Sequence, residues 1–251
     1  MLLCLELKKI RKPVLITLFG MTILACILTC TLYRDYQVCF VLDPWEIGTE
    51  YFGLLFPLLV TVPICWQLYY ERRNHFLIYT LPRISKKRYM GAKWLAYALA
   101  AFLIVFIPYF LSALCSIYIA NPSLQPPSEK YVHIFHSFFK EAPLVYSLLL
   151  SLWKGILGVL VMTFGFVLAL YSENLFIVLT APFVYVVLEN FGWAILGIPK
   201  YRLITAFEPS SLSSAVVSGA SFVVGPLLLC IVIGITVLYY SKVKHYAVYE
   251  M

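Results

Sequence analysis

Six separated stretches of apolar residues dominate this sequence, each long enough to cross a bilayer: 14–33, 51–70, 94–120, 150–171, 175–191 and 222–240. A helix needs about 20 mostly apolar residues to traverse a hydrocarbon layer of about 30 Å. Helices and closed barrels alone satisfy every backbone hydrogen bond in lipid, and no ten-residue alternating segments suggest a barrel. The chain is therefore expected to be an all-α, polytopic membrane protein with six transmembrane helices, forming a single transmembrane domain over 1–251. Composition agrees, because 62% of residues are hydrophobic and 12% charged, against roughly 25% charged in a soluble domain. A water-soluble globule, a disordered chain and a disulfide-stapled miniprotein are excluded on these figures. Only Ser172-Glu173-Asn174 separates the fourth and fifth stretches, which reads as a helical hairpin with a tight polar turn.

Lysine and arginine set orientation, because they resist transfer across the membrane. With the amino terminus in the cytoplasm, thirteen of the nineteen basic residues fall on cytoplasmic segments: Lys8, Lys9, Arg11 and Lys12, then Arg72, Arg73, Arg83, Lys86, Lys87, Arg88 and Lys93, then Lys242 and Lys244. Asp35, Asp43, Glu46, Glu50, Glu129, Glu141, Glu189 and Glu208 fall outside. Both termini are thus expected to be cytoplasmic. The net charge of +7 reflects this asymmetry and attraction to anionic lipid, not nucleic-acid binding. Ile23-Leu24-Ala25-Cys26 resembles a lipoprotein cleavage site, but the apolar run continues to Tyr33, so a retained first helix is expected.

Outside the spans, Leu3, Leu7 and Ile10 recur at helical spacing with Lys8, Lys9, Arg11 and Lys12 largely opposite. That pattern suits an interfacial helix over 2–12, its cations anchored near lipid phosphates and Pro13 bending the chain into the first span. A plain positive flank for the first span fits as well. Residues 71–93 form the longest and most basic cytoplasmic loop, with apolar His75-Phe76-Leu77-Ile78-Tyr79 between charged clusters. Topogenic charge alone does not explain that apolar turn; a docking site for a cytoplasmic partner does. In the outer segment 121–142, Tyr131, Ile134, Phe135 and Phe138 predict a short amphipathic helix. His133 and His136 share a face of it, but lack a third metal ligand nearby. The outer segment 192–221, with Pro199, Pro209 and a serine cluster, is expected to dip partly into the membrane.

Catalytic or ion-coupling residues at mid-depth cost about 2.5–3.5 kcal/mol each on insertion scales and so mark function. The spans read as nearly devoid of them, and Lys154 is expected to snorkel to the outer interface. Neither H-E-x-x-H, G-x-S-x-G nor a phosphate-cradling glycine loop occurs in the sequence. The seven cysteines are scattered without a C-x-x-C pair and read as small buried hydrophobes. Catalytic, cofactor and metal sites are accordingly not expected in this chain.

The arrangement resembles the permease subunits of type-2 ABC exporters (ABC-2 permeases) over essentially the whole chain. The likeness rests chiefly on Glu71, Leu77-Ile78, Leu81-Pro82, Ser85-Lys86-Lys87 and Lys93; Arg73-Asn74 stands where many members have Gly-Thr. The resemblance implies a separate cytoplasmic ABC ATPase subunit carrying ATP and Mg, and a second permease copy (a homodimer) or a paralogous permease. Glu71, Arg72, Arg73, His75, Phe76, Leu77, Ile78, Tyr79 and Pro82 then form the ATPase-coupling element, held at the membrane surface by Arg83, Lys86, Lys87 and Arg88. It further implies a bacterial plasma (inner) membrane protein that exports amphipathic or hydrophobic cargo, antimicrobial or toxin peptides being favoured. The alternatives are a non-transporting membrane scaffold or immunity protein, a lipid or drug exporter subunit, or an ion-coupled carrier.

Overall fold

The computed structural model describes residues 2–76, 85–126, 133–213 and 216–243. Their main helices are α1 (Leu2–Thr31), α2 (Asp43–Thr49), α3 (Phe52–Arg73), α4 (Lys86–Tyr118), α5 (His136–Glu141), α6 (Pro143–Tyr171), α7 (Leu175–Ile195), α8 (Leu203–Phe207) and α9 (Gly219–Leu238). There is no strand among the described residues. Six helices are long and apolar enough to span a membrane. They are α1, α3, α4, α6, α7 and α9, the last continued by a π turn over Tyr239–Val243. All six overlap the apolar stretches of the sequence; the largest extensions are at the start of α1, seven residues at the start of α6, and eight at the start of α4.

An interfacial helix separate from the first span is not seen. α1 is one element with Pro13 inside it. The stripe expected to face lipid faces protein instead: Ile10 is buried, and Leu3 and Leu7 pack against the core. Lys8, Arg11 and Lys12 remain exposed on the opposite side.

Small residues decide which helices meet, as they do where lipid supplies no hydrophobic drive between spans. α6 lies against α3, α4, α7 and α9. A Cβ on Gly158 would stand 2.9 Å from Val105 on α4, and one on Gly165 would stand 2.9 Å from Cys65 on α3. The α6–α7 hairpin turns where expected. Asn174 Oδ1 caps α7 by accepting from Phe176 N at 2.9 Å, and Tyr69 on α3 donates to Glu173 O at 2.6 Å.

The connections at the far end, opposite Leu2, enter the bundle. α2 carries buried Asp43, Pro44, Trp45, Gly48 and Thr49. Its approach to α1 requires glycine at 48, where a Cβ would lie 2.5 Å from the Thr29 Cα. α8 is buried through Leu203, Thr205, Ala206 and Phe207. Phe207 stacks on Phe56 of α3 with centroids 4.0 Å apart, and Trp153 of α6 donates to Ala206 O at 2.9 Å. The amphipathic helix expected over 131–138 is shorter than its pattern. α5 begins at His136, because Phe135 takes the left-handed conformation at φ 53°; Tyr131 lies outside the described residues.

Candidate functional site

At the end of the bundle holding Leu2, four charges from three helices converge. Lys93 on α4 is 0% exposed, and its ammonium meets Glu6 Oε2 of α1 at 2.8 Å. It also pairs with Glu71 Oε2 of α3. Lys9 bridges the same two carboxylates, 2.6 Å from Glu6 Oε1 and 2.9 Å from Glu71 Oε1. Two cations and two anions form a closed ring, which is how ionised groups become tolerable away from water. Helix length brings them there: α3 persists to Arg73 and α4 starts at Lys86, so Glu71 and Lys93 sit inside helices rather than in a loop.

The expected coupling residues divide between this ring and the surface. Glu71 is a ring member and buried, whereas Arg73 and His75 are exposed. His75 adopts φ 56°, beyond the end of α3, a common helix stop. Phe76 lies beneath Lys9, whose Nζ is 5.0 Å from the ring centroid. Arg72 donates to Leu170 O at 2.7 Å and to Ser172 O, tying α3 to the α6–α7 turn. Leu77, Ile78, Tyr79, Pro82 and Arg83 lie outside the described residues, as does the side chain of Lys86. Lys87 and Arg88 are exposed on the first turn of α4, and of the four amino-terminal cations only Lys9 is drawn inward.

At the far end, Lys154 corrects the sequence-based expectation. It is 0% exposed and does not snorkel. Its Nζ meets Glu208 Oε2 at 2.7 Å and lies over the rings of Tyr109, Trp45 and Phe207 at 4.0, 5.1 and 5.3 Å. Cation–π attraction is strongest when desolvated, as here. Glu208 arrives because α8 inserts and ends one residue before it. Its carboxyl is pushed above its usual value by burial, against the opposing pull of Lys154.

No group of three or more metal-ligating side chains occurs among the described residues. His133 instead faces α2, with Nε2 3.2 Å from Asp43 Oδ1 and Nδ1 3.4 Å from Glu46 Oε2. Asp43 is held for this contact, since its Oδ2 accepts from Cys39 N at 2.8 Å and Phe40 N at 2.9 Å.

Sequence reasoning missed Glu6 altogether, although a lone glutamate among Lys8, Lys9, Arg11 and Lys12 is a signal of pairing. It placed Glu6, Glu71 and Lys93 outside the spans, whereas with Lys154 they are buried on long helices. The comparisons with known proteins return no match: no family model fits the chain, and neither a curated protein nor a solved structure matches it.

Proposed function

We propose that this chain is the membrane-spanning permease subunit of an ATP-driven exporter, worked by a separate ABC ATPase subunit that grips the segment joining α3 to α4. The observation that carries the reading is the anchorage of that segment. Glu71 before it and Lys93 after it close one ion ring with Glu6 and Lys9 of α1. A load applied to residues 74–85 therefore reaches α1, α3 and α4 together, and Arg72 passes it to the α6–α7 turn. Nucleotide binding moves such an assembly only by favouring one arrangement over another, and the ring gives three helices a common displacement on which that preference can act.

In this reading Glu71, Arg72, Arg73, His75, Phe76, Leu77, Ile78, Tyr79 and Pro82 make the coupling element. Two copies, or this chain and a paralogous one, stand in a bacterial inner membrane with both termini cytoplasmic. ATP and Mg belong to the partner. The cargo is amphipathic peptide taken from the cytoplasm or the inner leaflet and released outward.

Co-purification tests the reading. Leu77→Asp with Ile78→Asp is expected to abolish association with a co-expressed ABC ATPase subunit while membrane insertion persists. Unchanged association overturns the coupling assignment. A reconstituted complex whose ATP hydrolysis ignores every amphipathic peptide offered favours a scaffold or immunity protein acting by binding alone.

A further inference from the structure

At the far end of the bundle, both ring nitrogens of His133 face carboxylates. The side chain is 11% exposed, with Asp43 Oδ1 at 3.2 Å on one side and Glu46 Oε2 at 3.4 Å on the other. A neutral imidazole has one N–H and one lone pair. It can serve one of these anions, but turns a lone pair toward the second. Only the imidazolium is drawn to both carboxylates, by charge at ion-pair distance rather than through aligned hydrogen bonds. The ring is held flat by Phe139 of α5, stacked at 3.8 Å and 13°, and edged by Phe40 at 5.3 Å.

We propose that His133 is a proton-operated latch: its imidazolium pins the segment 133–141 to the two carboxylates of α2, and loss of the proton lets that segment lift from the far end of the bundle. The latch is independent of the reading of the chain as an exporter subunit.

The surroundings allow His133 to govern the contact. From α2 it faces Asp43 and Glu46; from its own segment His136 and Lys140 are the nearest titratable neighbours in sequence. Behind Phe139 stands Tyr146 of α6, its ring 5.0 Å away edge-on, and its hydroxyl feels Glu46 and Glu208. Lys154 also feels Glu46, but its Nζ is committed to Glu208 at 2.7 Å. Burial lowers the affinity of His133 for its proton, yet the Asp43 and Glu46 contacts outweigh burial and lift its pKa to about 9.

Because the folded value exceeds the free value of about 6.5, the stabilisation is complete below about pH 6.5 and disappears as pH rises through about 9. A difference of about 2.5 pH units between latched and released states corresponds to about a 300-fold change in their ratio.

The test uses the full chain in lipid nanodiscs. With carbon-13-labelled histidine, the resonance missing from His133→Gln is expected to titrate near pH 9. Amide exchange over 135–146, referenced to His133→Gln at each pH, is expected to lose protection by up to about 300-fold between pH 6 and 10. His133→Lys, charged to above pH 10, is expected to keep protection at pH 9.5 where the wild type has lost it. A His133 titration near 6.5 overturns the proposal, as does wild-type exchange that parallels His133→Gln. If His133→Gln does not fold, the lysine variant decides: protection lost at the same pH as in the wild type overturns the latch.

Discussion

Replacing Lys154 with methionine removes the cation from a fully enclosed ion pair while keeping most of the side-chain volume. At 2.7 Å from Glu208 Oε2, the ammonium contributes about 6 kcal/mol of attraction at an effective dielectric of about 20, before the desolvation of both ions is subtracted. The variant leaves Glu208, which is 2% exposed, without a counter-charge. Breaking one side of a buried pair costs about 3–5 kcal/mol, which corresponds to a fall in Tm of about 10 °C for a chain of this size. The sign with pH follows from Glu208: stranded, it must be protonated or solvated, so the defect in Lys154→Met shrinks as pH falls. Pairing it with Glu208→Gln removes the orphaned charge and is expected to recover most of the loss, giving a coupling of at least 2 kcal/mol in a double-mutant cycle. The native cysteines supply the assay, because a thiol-reactive dye senses unfolding through buried Cys65 while exposed Cys4 and Cys230 set the background. A Lys154→Met protein melting within 2 °C of wild type, or a double variant whose loss is the sum of the singles, refutes the pairing as a stabilising element.

Lys93→Met leaves Glu6 and Glu71 sharing Lys9 alone, and is expected to cost about 3 kcal/mol in the same melting assay, recovered in part by Glu6→Gln in the same chain. Gly48→Val drives side-chain atoms into the Thr29 backbone; a loss of at least about 3 kcal/mol is expected, above the usual cost of overpacking a core, with Gly20→Val, at an open position, as the tolerated control. Arg72→Gln gives up charge-assisted bonds to Leu170 and Ser172 and is expected to lose about 1.5–3 kcal/mol, read by thermal unfolding.

What the sequence could and could not disclose follows from the range of the interactions. Six spans were legible because apolar length is a local property, and the α6–α7 turn because Ser172-Glu173-Asn174 interrupts it in three residues. The start of α6 was not: Pro143 opens the helix seven residues before the stretch read as the span, and the apolar Leu144, Val145, Leu148 and Leu149 carry no mark of where the loop ends. The pair of Lys154 with Glu208 spans 54 positions of sequence, and nothing near Lys154 announces it. Lys93 and Glu6 are 87 positions apart. Such charges look like topogenic signals when read singly, and only the packing of α1 against α4 joins them. The stripe of Leu3, Leu7 and Ile10 was correctly amphipathic, but periodicity cannot tell a lipid-facing stripe from one that meets a neighbouring helix.

α7 is covered by protein over little of its length: Val178, Pro182 and Val186 are buried, while Phe176, Ile177, Val184, Leu188 and Phe191 are exposed. Its polar fastenings gather toward its ends, and Thr61 of α3 donates to Leu179 O at 3.1 Å near the first of them. Arg72 and Tyr69 hold the turn before it, and near its other end Glu189 accepts from Leu203 N at 3.0 Å. Twenty-one residues rise about 31 Å, close to one bilayer core, and a strut secured at both tips cannot relieve a thickness mismatch by tilting freely. Thickening the membrane therefore pulls on Leu203, and through it on the carboxylate five residues onward that neutralises Lys154. The lipid itself becomes a mechanical input to the bundle's interior charge.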